Sequence, residues 1–508
     1  MPATKDHRGV VLFNPRSARH KHRIPNSILQ VAASIHAHRA VALVDGNMEQ
    51  DPWSVIEHHL ASGDFGHFGT TAMPGPQLEQ AIPIARKVRA RFPQIHTIWG
   101  GYFAANQHRA VLESGWVDFV IDGPADETFP LLLERSEQGG SLDDIPNLIY
   151  KSEGRIVRNR RTPIPDMDAL PDLPYDLLDQ HYPLSNYLGR TFLGKRTIAY
   201  HSSFGCPFTC SFCAVVPIYN ARWKGVNAER IHRDIRMLKE RWGGDAIEFH
   251  DNNFFVSEKR TVAFSELMLD EGMQWWGEGR IDTIDKYSDE HLALMRRAGC
   301  RMIFFGAESG DDEQLARMDK GGTQSGEQIL RFADRMARHD IIPEYSFVLG
   351  FPAATEKQVL EQIDRDIAFI RKVKEVNPAT EIIIYVYSPV PTEGSALFEQ
   401  VKAAGFAFPE HLTDWLDPVW AKFDLRKNPL TPWLTPRAVD RIRDFETVLN
   451  GRFPTISDIK LAPLQRRIMR TLAAPRYRTR TYARPLELKA LQKLWRYRQP
   501  EIEGFEMQ

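Results

Sequence analysis

Three cysteines within eight residues place the strongest constraint on this chain. Cys206, Cys210 and Cys213 follow the pattern Cys-x3-Cys-x2-Cys, directly after a strand-like run. Three thiolates so close together can bind three irons of a cubane cluster and leave the fourth iron open, whereas a closed structural site would use four protein ligands. The spacing therefore predicts a reactive metal site, and a zinc site or simply buried cysteines are the alternatives.

Composition and length describe an ordinary globular chain. The 508 residues are 43% hydrophobic and 26% charged, and the net charge of −1 gives no field that favours nucleic acid as a partner. We expect no signal peptide, and no apolar run approaches the roughly 18 residues that span a bilayer. The fourth cysteine, Cys300, is predicted to pack in the core. It leaves no disulfide framework, which favours a reducing cytoplasm.

The N-terminal part alternates short apolar runs with amphipathic stretches. Residues 28–35 and 77–92 have helical periodicity. Five runs around them are predicted to be strands: residues 10–13, 40–44, 65–69, 96–99 and 119–121. Strand–helix–strand alternation in this rhythm predicts an α/β fold with a parallel, doubly wound sheet.

Small and polar residues follow these strands, at the edge where open parallel sheets bind ligands. Glycines and short hydroxyl side chains let the backbone approach a bulky ligand closely. The candidate binding residues at this edge are Asn14, Thr70, Thr71, Gly100, Gly101 and Gly123. Any doubly wound domain has glycines in such turns, so the pattern predicts a binding edge without identifying its ligand.

A second series of strand–helix units follows a connector rich in Pro and Asp. Its predicted strands are residues 197–202, 246–250, 274–281, 302–305, 345–349 and 382–387. From about residue 405 the pattern changes to helices and irregular segments rich in Trp and Pro. The predicted domains are residues 1–140, a connector at 141–190, a core at 191–404 and a helical C-terminal region at 405–508.

The cysteine spacing resembles the signature of the radical S-adenosylmethionine (SAM) superfamily. Phe212, just before the last cysteine, matches the aromatic residue that this family has near the adenine. The resemblance implies that Cys206, Cys210 and Cys213 hold a 4Fe–4S cluster whose fourth iron is chelated by SAM. It also implies that the second series of strands forms the partial (β/α) barrel of the superfamily.

The same resemblance implies which strand ends contact SAM. Asp251 and Asn252 stand where many relatives have polar groups that meet the SAM amino group. Arg280 could pair with the SAM carboxylate, because its planar fork matches that group, and a surface salt bridge is the alternative. Glu308 and Ser309 belong to a Gly-x-Glu-Ser-Gly element that lies by the ribose and methionine.

Two further elements are implied to complete the barrel. Gly350, which precedes Phe351-Pro352, would let the backbone approach the adenine. Residues 388–394 resemble an element that closes the barrel after the last strand. Both expectations rest on the family resemblance.

The N-terminal part resembles the cobalamin-binding domain of one large radical SAM subclass. The run at 99–101 and the run at 122–128 stand where that subclass has Gly-Gly and Gly-Glu-x-Glu motifs, although the second match keeps only Gly123 and Glu127. The resemblance implies that the edge residues and Glu127 contact cobalamin. An Asp-x-His-x-x-Gly motif is absent from the sequence, so no histidine is expected on cobalt, and His20 and His22 are the alternatives.

The resemblance as a whole implies a cobalamin-dependent radical SAM enzyme. The relevant group includes the anaerobic magnesium-protoporphyrin ester cyclase, hopanoid-modifying enzymes, and C- and P-methylases. Its members cleave SAM reductively, with electrons from a donor such as flavodoxin or ferredoxin. The 5′-deoxyadenosyl radical removes hydrogen from a small-molecule substrate, and we expect methylcobalamin then to deliver a methyl group to carbon or phosphorus.

Other outcomes are compatible with the same motifs. An anaerobic oxidative cyclase or hydroxylase would not transfer the methyl group, and a radical SAM enzyme could have an empty first domain. A non-catalytic cobalamin or iron–sulfur sensor is the alternative from a different class. A methylthiotransferase is disfavoured, because its first domain would need three further cysteines and residues 1–205 contain none.

The C-terminal region is strongly basic. Residues 460–498 contain twelve Lys or Arg and a single acidic residue, Glu487. A patch for nucleic acid or an anionic membrane is one interpretation. Packing on the barrel or contact with an anionic substrate tail is preferred, so no nucleic-acid partner is expected and peripheral membrane contact stays open.

Overall fold

The computed structural model describes most of the chain. The described residues are 8–17, 23–318, 320, 323–387, 398–421, 431–457, 461–495 and 497. His20, His22 and the barrel-closing element at 388–394 lie outside them. No helix in the described part combines the length and hydropathy needed to cross a bilayer.

The first sheet has the doubly wound architecture that the sequence predicts. Its strands are β1 (Gly9–Asn14), β2 (Val41–Asp45), β3 (Phe65–Thr71), β4 (His96–Gly100), β5 (Phe119–Ile121), β6 (Leu148–Ser152) and β7 (Arg155–Arg158). The helices between them are α1 (Asn26–Ala33), α2 (Pro52–Ala61), α3 (Pro76–Arg91), α4 (Gly101–Asn106), α5 (His108–Glu113) and α6 (Thr128–Gln138). The strand order is 2-1-3-4-5-6-7, and β1 to β5 are parallel. Such a sheet binds ligands where the strand order reverses, beside β1 and β3.

Two strands of this sheet come from the segment that the sequence analysis assigned to the connector. β6 pairs with β5 and β7 pairs with β6, both antiparallel, so the sheet is mixed rather than wholly parallel. Glu153 and Gly154 join them with φ angles of 48° and 78°. Two left-handed residues make the tight turn that suits a hairpin, and Gly154 is the sequence feature that indicates this turn. The Pro- and Asp-rich residues around it favoured a connector. The expectation that residues 148–158 belong to a connector was therefore wrong.

The rest of the connector ties the first sheet to the second. It contains α7 (Tyr175–His181) and two short 3-10 helices, Met167–Ala169 and Leu184–Tyr187. The Tyr187 hydroxyl donates to Asp45 Oδ2 at 2.8 Å, and the Asp45 amide donates to the Tyr182 hydroxyl at 3.3 Å. The connector is therefore anchored at the carboxyl end of β2.

The second sheet is a six-stranded, wholly parallel partial barrel. Its strands are β8 (Thr197–Tyr200), β11 (Ala246–Phe249), β12 (Gln274–Gly279), β13 (Cys300–Glu308), β14 (Ile342–Leu349) and β15 (Glu381–Val386), with a separate hairpin of β9 (Ser203–Gly205) and β10 (Trp223–Gly225). The associated helices are α8 (Val216–Tyr219), α9 (Ala228–Trp242), α10 (Glu258–Met268), α11 (Ile281–Ile284), α12 (Asp289–Arg297), α13 (Asp312–Arg317), α14 (Gly326–Arg338) and α15 (Glu356–Val376), with a 3-10 turn at Phe254–Val256. Cys300 begins β13 fully buried, as the sequence analysis expects.

Local signals account for the ends of the longer barrel helices. The Asn227 side chain accepts from the Arg230 amide and starts α9, and Gly243 ends it in a left-handed conformation. Thr355 and Gln358 form a reciprocal capping box at the start of α15.

The C-terminal helices cover both sheets. They are α16 (Phe398–Ala403), α17 (Pro418–Ala421), α18 (Pro436–Arg452), α19 (Pro463–Thr479) and α20 (Leu486–Leu494), with a 3-10 turn at Leu412–Leu416. α18 packs against α15 and β15 of the barrel. The Trp415 ring packs edge-on against Phe103 of α4, with ring centroids 5.0 Å apart. This region therefore contacts the helical layers of both sheets.

A buried carboxylate on α15 gives the fold a pH dependence. Asp366 is 5% exposed, and burial raises its pKa to about 7. Because the folded-state pKa exceeds the unfolded value of about 3.9, its contribution is complete below about pH 4 and is lost towards pH 7. As the pH rises from about 5 to about 8, we expect the thermal midpoint of the native protein to decrease relative to that of Asp366→Asn. The amide oxygen of this variant can still accept the same hydrogen bonds. Exposed Asp364→Asn on the same helix is the matched control, and parallel pH profiles for native protein and D366N would contradict the assignment.

Candidate active site

The three cysteines lie in the loop between β9 and α8, at the carboxyl end of the barrel. The Cys213 amide donates to the Cys210 carbonyl at 3.0 Å, which turns the loop back on itself. The Ser211 amide and hydroxyl donate to the carbonyls of Met318 and Arg317, each at 3.1 Å. The loop is thus folded on itself and tied to the end of α13.

The thiols are partly buried and lie within electrostatic reach of one another. Burial raises the pKa of Cys213 to about 11 and also raises that of Cys206, and each responds to the charge of Cys210. Among the described residues, no group of three His, Cys, Asp or Glu side chains gathers closely enough around one point to hold a single ion. Cubane ligands bind separate irons and need not converge in that way. Three thiols on one loop therefore suit the cluster that the spacing predicts.

Asp251 holds the start of the cysteine segment in place. It is fully buried, and its Oδ1 accepts from the Ser202 amide at 3.1 Å and hydroxyl at 2.8 Å, and from the Ser203 hydroxyl. Arg260 donates to the Ser202 hydroxyl at 3.0 Å from the other side. The Asp251 carboxylate is therefore engaged with the protein, while the neighbouring predicted SAM contact, Asn252, is exposed.

The third residue of this strand end is the one with unused polar atoms. Asn253 is 1% exposed, and neither its side-chain nitrogen nor its oxygen has a well-formed hydrogen bond in the described part. Burial raises the pKa of Cys206, and the Asn253 amide is close enough to oppose that rise. A buried amide with so few partners is costly unless a ligand satisfies its remaining atoms. The sequence analysis did not select Asn253, because the burial that distinguishes it from Asn252 cannot be read from the sequence.

Arg280 is a buried group beside the cysteines, so the alternative of a surface salt bridge is wrong. It is 7% exposed and binds Asp282 through Nε and Nη2, at 2.9 and 2.8 Å. Its Nη1 donates to Cys210 Sγ at 3.0 Å, and its guanidinium lies 3.9 Å from the centre of the Phe208 ring. The structure thus brings its positive charge to the predicted cluster position, where it would stabilise a negatively charged cluster or a ligand carboxylate.

Glu308 forms a buried ion pair with a residue that the sequence did not single out. Lys320 is 3% exposed, and its Nζ donates to Glu308 Oε1 at 3.0 Å and to the Gly306 carbonyl at 2.7 Å. Glu308 has a φ of 63°, which is strained for a residue with a side chain. The Lys320 amine also lies 5.9 Å from the centre of the Phe212 ring. These three side chains meet beside the cysteine loop.

The remaining two SAM candidates have structural reasons for their residue types. The Ser309 hydroxyl donates to Asp366 Oδ1 at 2.7 Å, so it faces α15. Gly350 has a φ of 90°, and its carbonyl accepts from Trp433 Nε1 at 3.2 Å. A contact of either residue with SAM would use backbone atoms, and it stays a prediction.

The edge of the first sheet brings together the polar residues that the sequence predicted. Asn14 Nδ2 donates to Asp45 Oδ1 at 2.9 Å, and the Thr70 hydroxyl donates to the Phe13 carbonyl at 3.1 Å. Thr71 is half-buried beside them. Asn14 and Thr70 therefore already have partners in the protein, and their contact with cobalamin stays a prediction.

Two glycines at this edge leave open space. Around Gly100 and Gly123, no atom of another described residue, apart from their chain neighbours, lies within 4 Å of the position that a Cβ would take. Gly101 differs, because its φ is 81° and a Cβ would collide with the Thr71 hydroxyl. Glu127 lies exposed just before α6. We call the bare backbone at Gly100 and Gly123 the glycine floor. A surface of this kind lets a flat, bulky cofactor approach the strand ends closely.

The carboxyl ends of the two sheets face each other. Arg23, after β1, pairs with Glu248 of β11 at 3.1 Å and also contacts His250. Burial lowers the pKa of His250 to about 3, with a further contribution from the charge of Arg23. α4, which follows Gly100, packs against α8, which follows the cysteine loop. The elements that follow Gly100 and the cysteines are consequently in contact with each other.

Comparisons with known proteins agree with this arrangement. Residues 200–365 match the family described as the Radical SAM superfamily. The chain is 27% identical over 354 residues to the uncharacterized methyltransferase PH0819 of Pyrococcus horikoshii, covering 69% of this chain and 73% of that protein. It is 28% identical over 251 residues to the hopanoid C-3 methylase of Methylococcus capsulatus, covering 47% of this chain and 45% of that protein. It is also 26% identical over 395 residues to the anaerobic magnesium-protoporphyrin IX monomethyl ester cyclase of Rubrivivax gelatinosus, covering 73% and 62%.

Solved structures resemble the fold over nearly its whole length. The cobalamin-dependent SAM radical enzyme OxsB, with aqua-cobalamin and SAM bound, aligns with a TM-score of 0.69 at 14% identity, covering 93% of this chain and 71% of that one. The radical SAM methyltransferase TsrM from Kitasatospora setae aligns with a TM-score of 0.65 at 16% identity, covering 96% and 99%. At these identities the likeness is evidence of the fold alone.

Proposed function

We propose that this chain, which belongs to the radical SAM superfamily, is a cobalamin-dependent methyltransferase acting on an unactivated carbon or phosphorus atom of a small molecule. The observation that carries the proposal is the packing of α4, which follows Gly100, against α8, which follows the three-cysteine loop. From it we infer a shared cleft between that loop and the glycine floor of the first sheet. Chemistry that needs both cofactors requires them to approach the same substrate atom.

Cys206, Cys210 and Cys213 would hold the 4Fe–4S cluster, which supplies the electron for reductive cleavage of SAM. Arg280 places a fixed positive charge against the Cys210 sulfur. Asn253 and the Lys320–Glu308 pair line the same strand ends and are proposed to orient SAM, with Phe212 beside its adenine. Asn252, Ser309 and Gly350 are further proposed contacts, whereas Asp251 would act by holding the loop.

The first sheet would hold cobalamin, which supplies the transferable methyl group. Gly100 and Gly123 form the floor on which the flat ring system would lie, and Gly101 lets the chain turn into α4 beneath it. Asn14, Thr70, Thr71 and Glu127 border this floor and are the proposed polar contacts. Water exclusion would come from α8 and the C-terminal helices around the cleft.

An anaerobic oxidative cyclase is the second candidate. The similarity to the Rubrivivax gelatinosus cyclase covers 73% of this chain, so the same two cofactors could serve a reaction without methyl transfer. Either activity would take electrons from a small donor protein such as flavodoxin or ferredoxin, in a reducing cytoplasm.

Anaerobic reconstitution with iron, sulfide and hydroxocobalamin, followed by reduction with methyl-labelled SAM, tests the proposal. We expect about four irons and one cobalt per chain, formation of 5′-deoxyadenosine, and labelled methylcobalamin. Bound cobalt that never acquires the label would favour the cyclase. Iron without cobalt would refute a cobalamin-dependent reaction. The absence of both iron and cobalt would refute the whole proposal.

A further inference from the structure

The C-terminal helices expose an apolar stripe that the proposed reaction does not use. Leu464, Ile468 and Leu472 of α19 are 68, 37 and 42% exposed. Their spacing of four residues places them on one face of the helix. The face that packs into the protein lies opposite and contains Met469, Ala473 and Tyr477. α19 is therefore apolar on two sides, and only one of them is covered by described residues.

Exposed apolar side chains concentrate in this region. The described part of the chain exposes eleven large apolar side chains, and five of them lie on α19 and α20, which have 17 and 9 residues. The two on α20, Leu486 and Leu494, are 67 and 72% exposed. Single exposed leucines are ordinary, but a concentration of them on adjoining helices indicates a surface that is covered in use.

Two basic side chains border the α19 stripe. Arg467 and Arg478 lie beside Leu464 on the helix, since 3.6 residues per turn place them within about 60° of it. Both are exposed, and neither has an ion pair among the described residues. Glu487, the one acidic residue of this region, is already paired with Arg476 at 2.5 Å. In the part of the chain that the structure describes, this surface therefore combines a row of apolar side chains with arginines that have no ion pair.

We propose that the α19 stripe, with the arginines that flank it, docks the protein onto an anionic phospholipid surface. A helix that lies in the membrane interface buries an apolar face and meets lipid headgroups with Lys and Arg at its border. Nucleic acid would satisfy the arginines but leave the leucines without a partner. A second copy of the same surface would bring its arginines against these ones, and like charges oppose that contact.

Sedimentation of the full chain with vesicles tests the proposal. One set of vesicles contains neutral phosphatidylcholine alone, and the other also contains about 30% phosphatidylglycerol, which makes the surface strongly anionic. We expect binding to the anionic vesicles only. The variant Leu464→Ser/Ile468→Ser/Leu472→Ser should lower the partition coefficient by about tenfold or more, since each buried leucine contributes strongly. Arg467→Glu/Arg478→Glu should lower it by about tenfold or more, because each basic residue contributes about fivefold.

The matched control is Leu131→Ser/Leu269→Ser, which removes two leucines exposed elsewhere, at 38 and 43%. It should bind vesicles as the native chain does. Native binding by the stripe variant, or equal binding to neutral and anionic vesicles, would overturn the proposal. So would a dimer in light scattering that the stripe variant converts to a monomer, because the stripe would then be covered by a second copy. None of these readouts depends on the enzymatic activity.

Discussion

Replacing Cys210 by Ala should abolish reductive SAM cleavage while leaving cobalamin binding intact. The variant keeps two of the three thiols, and two ligands do not retain a cubane cluster with one open iron. We expect iron to fall from about four per chain to less than one, and 5′-deoxyadenosine to fall to the level without enzyme. Anaerobic reconstitution, metal analysis and product chromatography measure the two effects.

Cys210→Ala should affect only the cluster, because the two cofactors are proposed to bind to different parts of the fold. Cys210 lies in the loop after β9, whereas the glycine floor belongs to the first sheet. Arg280 keeps its two bonds to Asp282 when the Cys210 sulfur is removed, so its buried charge stays compensated. The substitution should therefore cost little stability, and loss of cobalt together with iron would indicate misfolding rather than loss of a ligand.

Cys300→Ala is the matched control. Cys300 is fully buried in the core at the start of β13, and its thiol lies outside the cysteine loop. Its replacement leaves a small cavity and should cost about 1 kcal/mol of the free energy of unfolding while keeping the native iron content. Retained iron and SAM cleavage in Cys210→Ala, or iron loss in Cys300→Ala, would contradict the cluster assignment.

The sequence predicted the parts of the site that depend on local spacing. The cysteine loop is defined by eight consecutive residues, and strand ends are marked by the change from apolar runs to glycine and polar residues. Since parallel strands end at a common edge, those marks also predicted that the first-sheet candidates lie together. These features need no knowledge of packing between distant segments.

The parts that the sequence could not predict depend on distant partners. The Ser309 hydroxyl bonds Asp366, which is 57 residues away and on another helix. Lys320 donates to Glu308 across twelve residues, from the loop after α13 back to the end of β13. Asn253 is buried and Asn252 is exposed, and that difference depends on the packing around the strand end. Motif spacing contains none of this information.

A side chain that fills the glycine floor should reduce cobalamin binding and leave the iron–sulfur cluster in place, which is the reverse of the result expected for Cys210→Ala. Gly100→Leu is expected to lower cobalamin binding by about tenfold or more, because its side chain would occupy the space above the strand end where a ligand of this fold lies. Iron content and 5′-deoxyadenosine formation should stay at native levels, while labelled methylcobalamin should not form. Cobalt analysis after desalting and the visible spectrum measure the loss.

Gly100 is the suitable position because its backbone tolerates a side chain. Its φ of −132° and ψ of −172° are extended, and apart from its chain neighbours no atom in the described part of the protein lies within 4 Å of a Cβ placed there. Gly101 would be a poor choice, because its φ of 81° would strain any side chain placed there. Loss of cobalamin in such a variant would not distinguish misfolding from loss of the binding surface. A leucine at position 100 should therefore change the cleft and leave the fold intact.

Gly189→Leu is the matched control for this substitution. Gly189 also has open space around a Cβ and a φ outside the left-handed region, but it lies exposed in the connector. It should bind cobalamin as the native chain does. Native cobalt content in Gly100→Leu would place cobalamin elsewhere or show that it is not bound by this edge. Loss of iron together with cobalt would mean that the two halves of the cleft are not independent, because the α4–α8 contact beside Gly100 would then also support the cysteine loop.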